Sequence, residues 1–168
     1  MDVGFQPMDE RAAASIALWR YDPPYDRYNL DRGDLCELLE GSYWAAMDEQ
    51  HRLIGFYCTG SSAQVPAGQV QGAYRQAGLV DVGLGLHPQL TGRGLGVGFT
   101  RAVLSKVGEH FLDQRQRLTV ASFNRRAIKV YEKLGFVERR AFNHGMVEFV
   151  IMTREGKDPK DPGGDVGD

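Results

Sequence analysis

Leu84-Gly85-Leu86-His87-Pro88-Gln89-Leu90-Thr91-Gly92-Arg93-Gly94-Leu95-Gly96-Val97-Gly98 is the stretch that decides how this chain is read. Just before and within it, Val80, Val82, Leu84 and Leu86 alternate with Asp81, Gly83 and Gly85, the period of two that marks a strand. Pro88 ends that strand. A glycine-rich turn follows and opens a helix predicted from about Gly94 to His110, on which Val97, Arg101, Leu104, Val107 and Phe111 keep helical spacing. A turn of this kind presents backbone N–H groups together with the positive end of a helix, and both suit a pyrophosphate. Gly92, Gly94 and Gly96 let an anion approach the backbone without a Cβ in the way.

Glycine spacing alone also fits a turn that binds nothing, so two nucleotide motifs are tested against it. A P-loop needs Gly-Lys-Ser/Thr at the helix start, and no Lys is present here. A dinucleotide fold needs an acid at the end of the next strand. That strand, Leu118 to Phe123, runs into Ser122-Phe123-Asn124 without one. The second informative stretch begins there: Val120-Ala121-Ser122-Phe123-Asn124-Arg125-Arg126-Ala127-Ile128-Lys129-Val130-Tyr131-Glu132-Lys133-Leu134-Gly135-Phe136. Asn124 is placed to cap a helix that ends at Leu134, with Gly135 as its stop.

Together the two stretches resemble the paired motifs of the Gcn5-related N-acetyltransferase (GNAT) family. That family's loop reads Arg/Gln-x-x-Gly-x-Gly/Ala. Aligned on the helix start this chain gives Thr91-Gly92-Arg93-Gly94-Leu95-Gly96, with Thr91 where Arg or Gln is preferred, and Gln89-Leu90-Thr91-Gly92-Arg93-Gly94 also satisfies it. The strand, Asn, helix with Tyr, and Gly-Phe ending match the family's second signature. The resemblance spans roughly Tyr43 to Thr153.

The resemblance implies an α/β (α+β) fold: one GNAT-like domain with a mixed, mostly antiparallel sheet, splayed fourth and fifth strands, and about four flanking helices. It implies acetyl-CoA as co-substrate and an amine as acceptor, with no metal. The pantetheine arm would lie in the splay beside Leu84 and Leu86, where Gly83 and Gly85 leave room beside the strand. Thr91, Gly92, Arg93, Gly94, Leu95, Gly96 and Val97 would hold the pyrophosphate. Asn124 would contact the pantetheine arm as well as capping its helix.

Tyr131 shares a helix face with Ala127, Ile128 and Leu134, and the family's tyrosine at this position protonates the departing thiolate. An unperturbed tyrosine, with a pKa of about 10, keeps the proton it must give. Asp81 is the candidate base, on the Gly83/Gly85 side of its strand. An ordered water in that role, or a surface role for Asp81, stays open. Tyr25 and Tyr28 are candidate acceptor-binding residues, in a cluster with Tyr21, Asp26 and Arg27. A catalytically silent acyl-CoA sensor, or a transferase with another acyl donor, are the alternatives.

The rest of the chain is read outward from there. A strand at Val3 to Gln6 precedes a helix capped by Asp9 that runs to Trp19 and buries Ala12, Ile16 and Trp19. Pro23 and Pro24 break that helix, and a short helix over Asp31 to Leu39 stops at Gly41. Tyr43 to Met47 and Leu53 to Cys58 form a hairpin. Gly60 to Gln76 has no period and reads as a loop. Phe136 to Ala141 and Met146 to Thr153 are the last strands. Residues 1–155 form the domain, and 156–168, rich in Gly, Pro, Asp and Lys, form a tail expected to be disordered.

With 168 residues and 20 Lys+Arg against 22 Asp+Glu, the chain suits one domain and lacks the basic excess of a nucleic-acid binder. No apolar run reaches the ~20 residues of a membrane span, and the N-terminus lacks the build of a signal peptide. A cytoplasmic protein is expected, and a homodimer is compatible with the sequence. Cys36 and Cys58 are expected as buried thiols, and His51, His110 and His144 show no metal spacing. His87 is read as structural.

Overall fold

The computed structural model describes residues 1–154. The segment expected as a tail, 156–168, lies outside the described residues. Seven strands form one sheet in the order β1-β2-β3-β4-β5-β7-β6. They are β1 (Gly4–Pro7), β2 (Tyr43–Met47), β3 (Leu53–Thr59), β4 (Leu79–Leu86), β5 (Arg115–Ala121), β6 (Val137–His144) and β7 (Val147–Arg154). Only the β4–β5 contact is parallel. The helices are α1 (Glu10–Ala17), α2 (Leu35–Glu40), α3 (Pro66–Val70), α4 (Gly96–His110) and α5 (Arg125–Lys133).

The caps read from the sequence are made. The Asp9 side chain accepts from the Ala12 N–H at 2.8 Å, and the Asn124 side chain accepts from the Ala127 N–H at 3.1 Å. Gly135 follows α5 at φ 88°, the left-handed position that favours glycine, and the Phe136 N–H closes the turn on the Tyr131 carbonyl at 3.0 Å. One face of the sheet packs on α4 and α5. Val80, Val82, Leu118, Val120 and Met152 meet Phe99, Val103, Leu104, Val107, Tyr131 and Leu134 there, and Leu84 and Leu86 pack against this core. On the other face α1 and α2 bring Ala13, Ile16, Trp19 and Leu38 together, with Phe56 against them.

Several expectations are corrected. Helix α4 starts at Gly96 rather than Gly94, because Gly94 has φ 76° and cannot be a helical residue. Strand β5 starts at Arg115, three positions before the apolar run, since Gln116 and Arg117 are buried polar residues. The Gly60 to Gln76 stretch is not plain loop. It contains a 3₁₀ turn over Gly60–Ala63 and helix α3, held to the sheet by a 2.8 Å hydrogen bond between the Tyr74 and Thr119 hydroxyls. Cys58 is buried as expected, but Cys36 is exposed.

The feature that makes a site is where the middle of the sheet stops pairing. Strands β4 and β5 pair only from Leu79–Arg115 to Val82–Leu118. Beyond that point Gly83–Leu86 continue on β3 alone, and Thr119–Ala121 continue on β7 alone. The expected splay of the fourth and fifth strands is present.

Candidate active site

Strand geometry decides which groups face the opening. The His87 N–H bonds to the Ile54 carbonyl of β3 at 2.8 Å, so the alternation of main-chain direction turns Leu86 and Leu84 toward the splay. Across the gap, the Ser122 N–H bonds to the Glu148 carbonyl at 2.8 Å, which turns Ala121 toward the splay. The two lips of the cleft thus carry main-chain donors and acceptors without a strand between them.

The glycine loop lies at the end of β4. Gly92 and Gly94 have φ of 69° and 76°, so both hold left-handed backbone. A Cβ on Gly94 would meet nothing within 4 Å, whereas one on Gly96 would press Val130 of α5 at 3.2 Å. The three glycines therefore act differently: two shape the turn and the third lets α4 and α5 approach. Leu95 precedes α4 without a side-chain cap, and the first turn of α4 contains no acid, so its N–H groups and dipole are free to meet an anion. Val97 lies in that first turn. Arg93 is exposed on the loop. Thr91, the departure from the family pattern, donates its hydroxyl to the Pro88 carbonyl at 2.8 Å and so ties the loop to itself.

Gly83 and Gly85 do not leave open space beside β4. A Cβ on Gly83 would come within 2.9 Å of the Cys58 sulfur, and one on Gly85 within 2.5 Å of the Phe56 ring. These glycines admit the chain's own side chains on the α1/α2 face. The room in the cleft comes from the unpaired strand edges.

Tyr131 is 9% exposed and packs on Phe136, with ring centroids 5.9 Å apart. Burial pushes its hydroxyl pKa well up, and Tyr28 adds to the shift, so the phenol keeps its proton. Tyr28 lies at the far lip. The Asn124 amide donates to its hydroxyl at 3.3 Å, and its ring lies 6.0 Å from Phe123. Burial raises the Tyr28 pKa, while the Asn124 and Ala121 hydrogen bonds act in the opposite direction. Tyr25 packs 6.3 Å from the same Phe123 and lies under the Arg126 guanidinium, whose carbon is 3.9 Å from the ring centroid. Tyr21 donates to the Leu86 carbonyl at 2.8 Å. The segment from Tyr21 to Tyr28 thus touches both lips. Sequence reasoning had Tyr25 and Tyr28 but missed Phe123 and Arg126 as their partners, since those contacts cross about a hundred residues.

Asp81 stands differently from its expectation. It is 4% exposed, so it has no surface role, and its two carboxylate oxygens receive the Arg117 Nε and Nη2 at 2.6 and 2.7 Å. Gln64 Nε2 adds a third donor at 2.8 Å. This bidentate pair sits where β4 and β5 still touch, just before the splay. Its two oxygens are thus taken up by hydrogen bonds that tie β4, β5 and the Gln64 segment together. His87 rests edge-on against Trp19 at 4.8 Å and accepts from the Gln89 N–H through Nδ1 at 3.2 Å; burial lowers its pKa.

A sheet with this topology, splayed at a parallel β4–β5 contact beside a glycine-opened helix, defines the class of acyltransferases to which the sequence motifs pointed. Residues 2–137 match the model of the acetyltransferase (GNAT) domain, and the chain belongs to that family. Among solved structures it is similar to the aminoglycoside acetyltransferase AAC(6')-Ib in complex with coenzyme A, at 18% identity and a TM-score of 0.70, covering 92% of this chain and 95% of that one. It is also similar to a chimera of the Vibrio cholerae spermidine N-acetyltransferase SpeG and hSSAT, at 15% identity and TM-score 0.63, covering 93% and 96%. A third similar structure is a GNAT-family acetyltransferase from Bacillus anthracis, at 12% identity and TM-score 0.69, covering 93% and 96%. No curated protein matches. Among the described residues no group of three His, Cys, Asp or Glu could hold a metal ion, and no helix is long and apolar enough to cross a membrane.

Proposed function

We propose that this chain is an acetyl-CoA-dependent N-acetyltransferase that moves an acetyl group directly onto a primary amine of a small molecule or peptide. The observation that carries the reading is the opening of the sheet beyond Val82 and Leu118 next to the uncapped start of α4. A pantetheine arm needs main-chain partners along an extended path, and the Leu84 and Leu86 edge supplies them. A pyrophosphate needs converging N–H groups, and the loop from Thr91 to Val97 supplies those. Neighbours of the same fold are named for acetylating aminoglycosides and spermidine, which are amines.

In this reading the amine nitrogen attacks the thioester carbonyl and the C–S bond breaks. Main-chain N–H groups at the β4 edge polarise the carbonyl oxygen. Tyr131 gives its proton to the sulfur, and Asn124 holds the cleft's far lip through Tyr28. The amine's proton passes to water. Asp81 is assigned to holding the junction of β4 and β5 through Arg117. Tyr25 and Tyr28 line the acceptor side.

Calorimetric titration with coenzyme A, followed by coenzyme A release assays on panels of aminoglycosides, polyamines, amino acids and peptides, tests the proposal. Binding with turnover on some amine is expected. Tight binding with no turnover on any amine would make the chain a sensor instead.

A further inference from the structure

We propose that Tyr25, a residue of the acceptor-side segment, is a positioning residue for the cofactor's pyrophosphate, acting through Arg126. The inference rests on the coenzyme A reading above.

One guanidinium touches both halves of the site. Arg126 lies flat over Tyr25, with 3.9 Å between its guanidinium carbon and the ring centroid. Its Nη1 also stands 3.3 Å from where a Cβ would sit on Gly92, the first left-handed glycine of the loop. Among the described residues Arg126 has no carboxylate partner. Its place in the first turn of α5 is electrostatically unfavourable, because a cation there faces the positive end of the helix and no acid shares the turn. The N-terminus of α4 and this guanidinium thus flank one glycine loop. Such an arrangement costs stability in the free protein and is relieved by an anion.

An exposed arginine has several rotatable bonds, and fixing them on binding opposes affinity. The Tyr25 ring removes part of that cost beforehand, because a guanidinium stacked on an aromatic face is already oriented. Tyr25 is itself held by Phe123, at 6.3 Å, on the same turn that carries Asn124. The coupling must run both ways. Whatever Tyr25 adds to cofactor affinity, the bound cofactor adds to the placement of Tyr25 and of the segment that faces the acceptor. The acceptor side is then completed by the cofactor, which favours binding of cofactor first.

The test is a set of coenzyme A affinities measured by calorimetry on the full chain. Tyr25→Leu should weaken binding about two- to tenfold, and Tyr25→Phe, which keeps the aromatic face, should stay near wild type. Arg126→Lys, which keeps the charge but loses the flat stacking surface, should lose affinity to a similar degree and reads the same contact should Tyr25→Leu fail to fold. In an Arg126→Met background Tyr25→Leu should cause no further loss. Dephospho-coenzyme A, which keeps the pyrophosphate and lacks the 3′-phosphate, should show the same pattern. Unchanged affinity in folded Tyr25→Leu, an undiminished loss in the Arg126→Met background, or a loss confined to coenzyme A with its 3′-phosphate would each overturn the inference. Failure of the wild-type chain to bind coenzyme A at all would overturn the functional reading instead.

Discussion

The Tyr21 hydroxyl donates a 2.8 Å hydrogen bond to the Leu86 carbonyl, across 65 positions of sequence, and this pins the acceptor-side segment to the β4 lip of the cleft. The carbonyl it satisfies is one that the opening of the sheet leaves without a strand partner. Tyr21→Phe keeps the ring and deletes the bond. The net loss is about 1 kcal/mol, or about 2–4 °C in melting temperature for a chain of this size. A thermal melt that superimposes on wild type would show that the bond contributes nothing in solution.

Gly94 separates backbone strain from crowding. Its φ of 76° strains any L residue, yet the space a Cβ would fill is open. Gly94→Val should therefore fold, with a loss of about 1–2 kcal/mol, while coenzyme A binding falls by about tenfold or more, because the bulk stands where the anion approaches. Gly94→Asn, which tolerates the left-handed region, should fold with less strain. Calorimetry on both variants checks this. Wild-type affinity in folded Gly94→Val would remove the loop from the binding site.

Tyr131→Phe preserves the packing on Phe136 and removes the proton. General acid catalysis contributes roughly 10²–10⁴-fold, so kcat should fall within that range with coenzyme A affinity nearly unchanged. Steady-state coenzyme A release by the two proteins, once an acceptor is known, decides it. Equal kcat values would take Tyr131 out of the mechanism.

The buried Asp81–Arg117 pair distinguishes a structural from a catalytic carboxylate. Removing one partner of a buried pair costs about 3–5 kcal/mol, since the other charge is left without compensation. Asp81→Asn should thus melt far below wild type, and an apolar replacement of both residues should recover much of the loss. If Asp81→Asn instead melts normally while kcat collapses, Asp81 is the base and water is not.

His87 predicts a pH dependence. Its folded pKa lies below the ordinary 6.5, so the unfolded chain binds the proton more tightly than the folded one. Stability from this site is therefore complete above about pH 6.5 and is lost as pH falls toward the folded pKa. Protonation also ends the bond that Nδ1 accepts from the Gln89 N–H. Melting curves between pH 5 and pH 7 should show a slope that His87→Gln reduces. An identical slope in the variant would place the titration elsewhere.

What could be read from sequence was local. The caps at Asp9 and Asn124 bond within one helical turn, and the β4 alternation and the glycine loop each lie within a few residues. What could not be read depends on partners far along the chain. Arg117 is buried because β4 brings Asp81 beside it, 36 positions away. Gln116 and Arg154 are buried because they bond each other, at 2.7 Å across 38 positions. No periodicity announces such pairs, so β5 appeared shorter than it is. The Tyr25–Arg126 contact is longer in range still: Tyr25 is a candidate for the acceptor side, but nothing near it in sequence points to Arg126.

The splay has a consequence for the strand edges of the fold. A sheet of seven paired strands has two rims, but parting β4 from β5 creates two more in its middle, each with unsatisfied main-chain groups. Such rims recruit strands from other molecules. Here the chain between α1 and α2 lies against them, with Tyr21 bonded to the Leu86 carbonyl on one rim and Tyr28 bonded to Asn124 beside the other. That connection therefore screens part of the parted strand edges as well as lining a cleft. Loosening it exposes a template for intermolecular strand addition at the centre of the fold.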